Sequence, residues 1–291
     1  MRRYSAPLAL CLMLAAPVWA QPAMVEDGNI RLSSSDSNFG GLSGLAVADD
    51  GRSFVAISDR GHFVTGNILR NGRRLTGAVI TAVLPINDSK GNPLDGRNTD
   101  AEGLAVMSDG SMLVSFESNS RVMRHTDLIS AATFLPSTEA FGKLQTNSGL
   151  EALAVDAADI VYAIPERSGA MTLPFPVYRL IDGSWDTAMN VPRRGEYLVT
   201  GADIDGTYLY VLERYYKPFG GFQTRVRRFV MDGDALADEA VLLESRLGQY
   251  DNLEGIDVWQ DDAGQTRIML ISDDNFLFYQ RNQMVEFRLE G

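Results

Sequence analysis

Apolar residues along this chain come in short runs, broken every few positions by Asp, Gly or Asn, and the breaks keep a regular order. The clearest unit is Asp100 to Ser118, DAEGLAVMSDGSMLVSFES: an acidic opener at Glu102, an apolar run, an Asp-Gly turn, a second apolar run and an acidic closer at Glu117. Versions recur as Ser43 to Arg60 and Glu151 to Arg167, with looser copies at Gly201 to Arg214 and Glu254 to Asn275. Val, Ile, Tyr and Phe concentrated between Asp and Gly predict two short strands and a tight turn in each copy. Opener and closer then lie side by side at one end of a hairpin.

Between the copies, further strand-like stretches follow, one pair of them turning at Asn71-Gly72, and a long loop runs from Asn87 to Asn98. Helical periodicity is weak; the best helical turns are expected near Thr126 to Ala132 and Ser137 to Lys143. Successive openers are about fifty residues apart with about four strands to each interval, the signature of a propeller blade. An all-β propeller of five blades is therefore expected, with a sixth still possible inside the long first interval. The last blade is one strand short, and the segment from Met24 to Ser34 is expected to supply the missing edge and close the ring. In such a ring the first strand of each blade lines the channel, and Ala46, Ala105 and Ala154 hold the same crowded repeat position.

All openers and closers should then meet at one channel mouth. That gathers Asp59, Glu102, Glu117, Glu151, Glu166, Glu213, Glu254 and Asp273, with Arg60, Arg167 and Arg214 behind their closers and Asn252 and Asn147 just before openers. Crowded carboxylates repel and raise one another's pKa unless cations compensate. A hard cation with oxygen ligands does so, and Ca²⁺ is the expected one. The arginines, with Lys217, Asn252 and Asn275, would meet an anionic substrate, since a guanidinium matches phosphate or carboxylate. The plainer alternative is that each acid–arginine pair is a local salt bridge. His62, near the same mouth, is a candidate general base or else a surface loop residue; His125 reads as structural. The aromatics Tyr215, Tyr216, Phe219 and Phe222, around Gly220-Gly221, read as a flexible loop, either a lid over the mouth or ordinary packing.

Composition narrows this further. Arg2 and Arg3, the apolar stretch from Ala6 to Ala16 and Val18-Trp19-Ala20 read as an export leader, residues 1–20, ahead of a single propeller domain, residues 21–291. Removing the leader removes Cys11, leaving no thiol, and takes the formal charge from −12 to −14. An acidic, periplasmic or secreted monomer is a poor nucleic-acid binder, and no later run is long and apolar enough to span a membrane. No Gly-x-Ser-x-Gly elbow or phosphate loop is present.

At these residues the chain resembles a known family, the exported bacterial phytase-like proteins described as having esterase-like activity of phytase. The stretches that carry the likeness are Gly41-Leu-Ser-Gly-Leu-Ala-Val through Ile57-Ser-Asp-Arg, Asp100-Ala-Glu-Gly, Asn147-Ser-Gly-Leu-Glu, Leu212-Glu-Arg, Asn252-Leu-Glu-Gly-Ile and Ser272-Asp-Asp-Asn-Phe. The resemblance implies a Ca²⁺-dependent propeller hydrolase of anionic esters, phosphomonoesters foremost. A gluconolactonase-like lactone hydrolase and a non-catalytic envelope propeller are the alternatives.

Overall fold

The computed structural model describes residues 21–145 and 148–291. The expected export leader and Asn147 lie outside them. The described chain folds into five four-stranded antiparallel sheets arranged as the blades of a propeller. Blade one holds β2 (Leu42–Val47), β3 (Ser53–Ser58), β4 (His62–Asn71) and β5 (Arg74–Pro85). Blade two holds β6 (Ala101–Val106), β7 (Met112–Phe116), β8 (Arg121–His125) and β9 (Thr133–Phe134). Blade three holds β10 (Leu150–Val155), β11 (Val161–Pro165), β12 (Phe175–Ile181) and β13 (Ser184–Val191). Blade four holds β14 (Leu198–Asp205), β15 (Tyr208–Lys217), β16 (Gly221–Asp232) and β17 (Ala235–Glu244). Blade five is β18 (Asn252–Gln260), β19 (Thr266–Asp273) and β20 (Gln283–Glu290), completed by β1 (Ala23–Arg31), which pairs antiparallel with β20 from Ala23↔Glu290 to Arg31↔Gln283. The first interval contains blade one and the loop before β6, not a sixth blade.

The core lies between the blades rather than within any one of them, because each sheet buries its two faces against its neighbours. Five apolar clusters sit at the five seams; Tyr210, Leu212 and Val226 of blade four, for example, pack on Leu253, Ile256 and Val285 of blade five. The expected helical turn before Lys143 is a 3-10 turn, Phe141–Lys143. The stretch from Thr126 is instead a bend, held by the Ser130 hydroxyl accepting from the amides of Thr126 and Asp127.

One irregularity repeats in every blade and sets the site. The pairing of the innermost strand slips by a β-bulge between Leu42 and Leu45, Ala101 and Leu104, Leu150 and Ala152, Val199 and Gly201, and Leu253 and Gly255. A bulge re-aims the side chain it carries. Here those residues are Ser43, Glu102, Glu151, Thr200 and Glu254, which together ring the axis. The next position is glycine in four blades and Ala152 in the fifth. The reason is close approach between neighbouring inner strands: a Cβ on Gly201 would stand 2.5 Å from the Glu254 carbonyl oxygen, and one on Gly255 would stand 2.7 Å from that of Ser43. At the level of this ring the gap left on the axis is only about 10 Å³, room for at most a single water. The channel is therefore closed, and its acidic end is a basin rather than a pore.

Candidate functional site

The basin is assembled from the bulge residues and the ends of the second strands. Register fixes which residues those are. The residues paired just before the bulges are Ser58, Phe116, Pro165, Glu213 and Ser272. The positions that follow them are Asp59, Glu117, Glu166, Arg214 and Asp273. Blade four therefore presents an arginine where the other blades present a carboxylate. Glu213, expected at the mouth, lies one residue away on the opposite face of its strand, since side chains alternate along a strand. It is fully buried there, bonded to Arg225 (Nε–Oε2 2.6 Å) and Arg227 (Nη2–Oε1 2.5 Å), a blade-internal network with no share in the basin.

Arg214 crosses the basin floor. Its guanidinium donates to Glu166 Oε1 at 2.9 Å, to Asn252 Oδ1 at 2.8 Å and to Glu254. Asn252 in turn donates to Glu254 Oε1 at 2.9 Å and reaches Asp273 Oδ2 at 3.3 Å. Glu166 also accepts from Ser148 Oγ at 2.9 Å and from Arg167 Nε at 3.1 Å. Burial works against the Arg214 charge, yet Glu254, Glu166 and Glu151 outweigh it and hold the guanidinium more firmly protonated than usual.

Among the described residues no arginine is bonded to the carboxylates of the other half; Arg60 and Arg121 act on Asp59 and Asp100 only through their charge. Asp100, Glu102 and Glu117 each offer a carboxylate oxygen, and these oxygens lie within 4.8 Å of one another. Asp100, absent from the residues expected from sequence, is held by the Ser118 hydroxyl. Burial first, and then Glu151 and Glu254, push Glu102 well above the carboxylate range; burial and Glu166 do the same to Glu151. Burial raises Glu117 to about 7. Asp59 is raised to about 7 by burial and by Glu254, against the opposing Arg60, and its Oδ1 is buried without a partner. Burial and Glu254 raise Asp273 to about 9. Carboxylates crowded in this way form an arrangement that a bound cation would relieve. Oxygens bound to one Ca²⁺ at ~2.4 Å are at most ~4.8 Å apart, and these three lie within that limit. The donor set is all oxygen, as that ion prefers. Among the described residues, Asp100, Glu102 and Glu117 would hold it, with Glu151 adjacent.

The remaining expected residues are placed unevenly. Arg167 is half-exposed beside Glu166 and lines the cleft next to the basin, as Asn275 does; the Asn275 amide donates to Asp273 Oδ1 at 2.5 Å. Arg60 turns its guanidinium onto the Phe276 ring, 3.3 Å from the centroid. His62 is acted on by Asp36 and Arg60, not by the basin carboxylates, and burial lowers its pKa. Lys217 is exposed at the tip of a hairpin, outside the cleft lining. That hairpin is the expected flexible loop, and it is regular: β15 and β16 stay paired from Tyr208↔Val230 to Lys217↔Gly221. Phe219 and Gly221 supply the positive φ angles, 62° and 86°, that its tight turn requires.

The family model described as "Phytase-like: Esterase-like activity of phytase" matches residues 37–276. Among curated proteins none matches this sequence. Solved structures that share the architecture include an exo-beta-1,3-galactanase from Clostridium thermocellum (10% identity, TM-score 0.55, 92% of this chain and 63% of that one). An alpha-L-arabinofuranosidase from Podospora anserina solved with cellotriose is similar in the same sense (9% identity, TM-score 0.50, 93% and 97%). A gluconolactonase from Xanthomonas campestris aligns more loosely (14% identity, TM-score 0.44, 84% and 72%). At these identities the likenesses speak to architecture alone.

Proposed function

The chain belongs to the phytase-like family, and from that premise we propose that it is an exported, divalent-cation-dependent hydrolase of anionic esters, phosphomonoesters foremost, working at the acidic basin. The observation that carries the reading is the trio Asp100, Glu102 and Glu117, bonded to no arginine among the described residues and with ligand oxygens within 4.8 Å of one another, in a basin that borders a cleft lined by Arg167.

A bound Ca²⁺ would polarise a phosphoryl oxygen and favour ionisation of a water. The chain's own residues do the rest. Arg214, locked between Glu166 and Glu254, keeps their oxygens fixed and neutralises that side of the basin. The exposed edge of Arg167 is free to meet an anion in the cleft. Burial raises both Asp59 and Glu117 to about 7, so each can exchange a proton near neutrality. The segment from Arg2 to Ala20 is proposed as the export leader, so the mature protein should begin at Gln21.

The test is hydrolysis of a chromogenic phosphomonoester and of a gluconolactone, each with Ca²⁺ and with EDTA. The expected result is phosphomonoester turnover that EDTA abolishes and Ca²⁺ restores, with the lactone inert. Lactone opening without phosphomonoester turnover would transfer the site to the lactonase reading. Silence toward both substrates would leave a binding propeller.

A further inference from the structure

Beside the basin lies a cleft of about 870 Å³, and its composition does not suit the substrate that the family's name suggests. Its charged lining is balanced: Glu166, Glu196 and Asp251 against Arg167, Arg214 and Arg281. Each of those arginines already has a carboxylate partner. Arg214 is bound to Glu166 and Glu254, Arg167 to Glu166, and Arg281 stands 3.6 Å from Asp251. A polyphosphorylated ring needs several uncommitted cations converging on one space, and a chain of net negative charge repels such a polyanion further. The cleft provides neither a surplus of positive charge nor a basic rim.

What it provides is aromatic surface. Tyr216 and Phe222, facing each other across the β15–β16 hairpin, have ring centroids 5.1 Å apart. Phe222 lies 6.0 Å from the Arg214 guanidinium, so the aromatic wall begins where the basin ends. Tyr279 and Phe219 also line the cleft, and Phe219 is fully exposed. Large aromatic side chains left in water beside a charged site are unusual for a surface with no ligand.

Building on the hydrolase reading of the basin, we propose that the cleft selects phosphomonoesters whose alcohol carries an aromatic ring, the ring lying on Tyr216 and Phe222 and the single phosphate reaching the Arg167 side of the basin. The regular pairing of the hairpin fixes the backbone that carries both rings, so little main-chain ordering is required on binding.

The test separates ring recognition from chemistry. Binding of 2-phenylethylphosphonate and ethylphosphonate, neither hydrolysable, is measured calorimetrically on the mature, Ca²⁺-loaded chain. Turnover is compared for 2-phenylethyl phosphate and ethyl phosphate, whose leaving alcohols are chemically alike. The ring should tighten binding about tenfold and lower KM by a similar factor, the scale expected of aromatic contact plus apolar burial. The preference should collapse in Tyr216→Ser and in Phe222→Leu. Tighter binding of the phenyl compound with no hydrolysis of either ester keeps the ring site and removes the hydrolase reading. Equal affinities in the wild type overturn the proposal, and so does tightest binding by inositol hexakisphosphate or by glucose 6-phosphate.

Discussion

Arg214→Gln is the perturbation that most directly tests the electrostatic account of the basin. The guanidinium is the only positive group bonded to both Glu166 and Glu254, among the described residues, and the three side chains are 20%, 7% and 10% exposed. Removing one partner of a buried ion pair costs about 3–5 kcal/mol when the other is left charged. Glu254 has an escape, because it can take up a proton at a cost of about 1.4 kcal/mol per unit by which the solution pH exceeds its pKa. Glu254 is already raised, first by burial, and loss of the arginine raises it further. A carboxylate whose folded pKa exceeds its unfolded one contributes stability below the unfolded value, and loses it as pH climbs through the folded one. The variant should therefore lose about 3 kcal/mol at pH 8 but only about 1 kcal/mol at pH 5, where the proton replaces the missing charge. Urea unfolding in EDTA at the two pH values reads this directly from the midpoints. Added Ca²⁺ should recover more stability in the variant than in the wild type, since the basin is then more negative. An equal loss at both pH values would mean that Arg214 matters for its packing and not its charge, and the electrostatic reasoning would be wrong.

Three further outcomes are expected. The double change Glu102→Gln with Glu254→Gln should abolish the rise in melting temperature that Ca²⁺ gives the wild type; a rise of unchanged size would remove the cation from this basin. In cation-free buffer the wild type should be most stable near pH 5 and should weaken as pH passes about 7 and then about 9, where Asp59, Glu117 and Asp273 ionise; Ca²⁺ should flatten that decline, and a cation-free profile that rises over the same range would contradict the shifts. Gly103→Ala would place a Cβ 2.6 Å from Ser115 Oγ and 2.7 Å from Leu153 Cβ. Crowding of that kind costs about 1–3 kcal/mol, and a melting curve that matches the wild type would show that the blade-two to blade-three seam is looser than described.

The repeat was legible in the sequence because every blade solves the same packing problem, and it made the five-bladed ring and its strand-borrowing closure predictable. The site was legible only where it follows the repeat. In blade four, Glu213-Arg214 imitates Asp59-Arg60 and Glu166-Arg167, so the acid is read as the closer. The register pairs Glu213 with Val199, the place that Ser58 and Pro165 hold in their blades, so Arg214 faces the basin and Glu213 faces away. A signal for this was present in the small residue after each opener. Aligning Gly201 with Gly44, Gly103 and Gly255 names Thr200 as the blade-four opener, and the strand partner of Val199 then makes Arg214 the closer. Asp100 escaped for the opposite reason. Its counterparts two residues before the openers are Gly41, Gly149, Leu198 and Asn252, a set with no shared chemistry, so no periodic argument reaches it. The two departures have one physical origin. Identical carboxylates from all five blades would give a symmetric well of negative charge with no preferred place for an ion or a substrate. Arg214 neutralises one side and Asp100 adds charge to the other, and on the hydrolase reading proposed above that asymmetry would give the basin a cation side and an anion side. Residues that keep the repeat build the ring, and those that break it give the basin its direction.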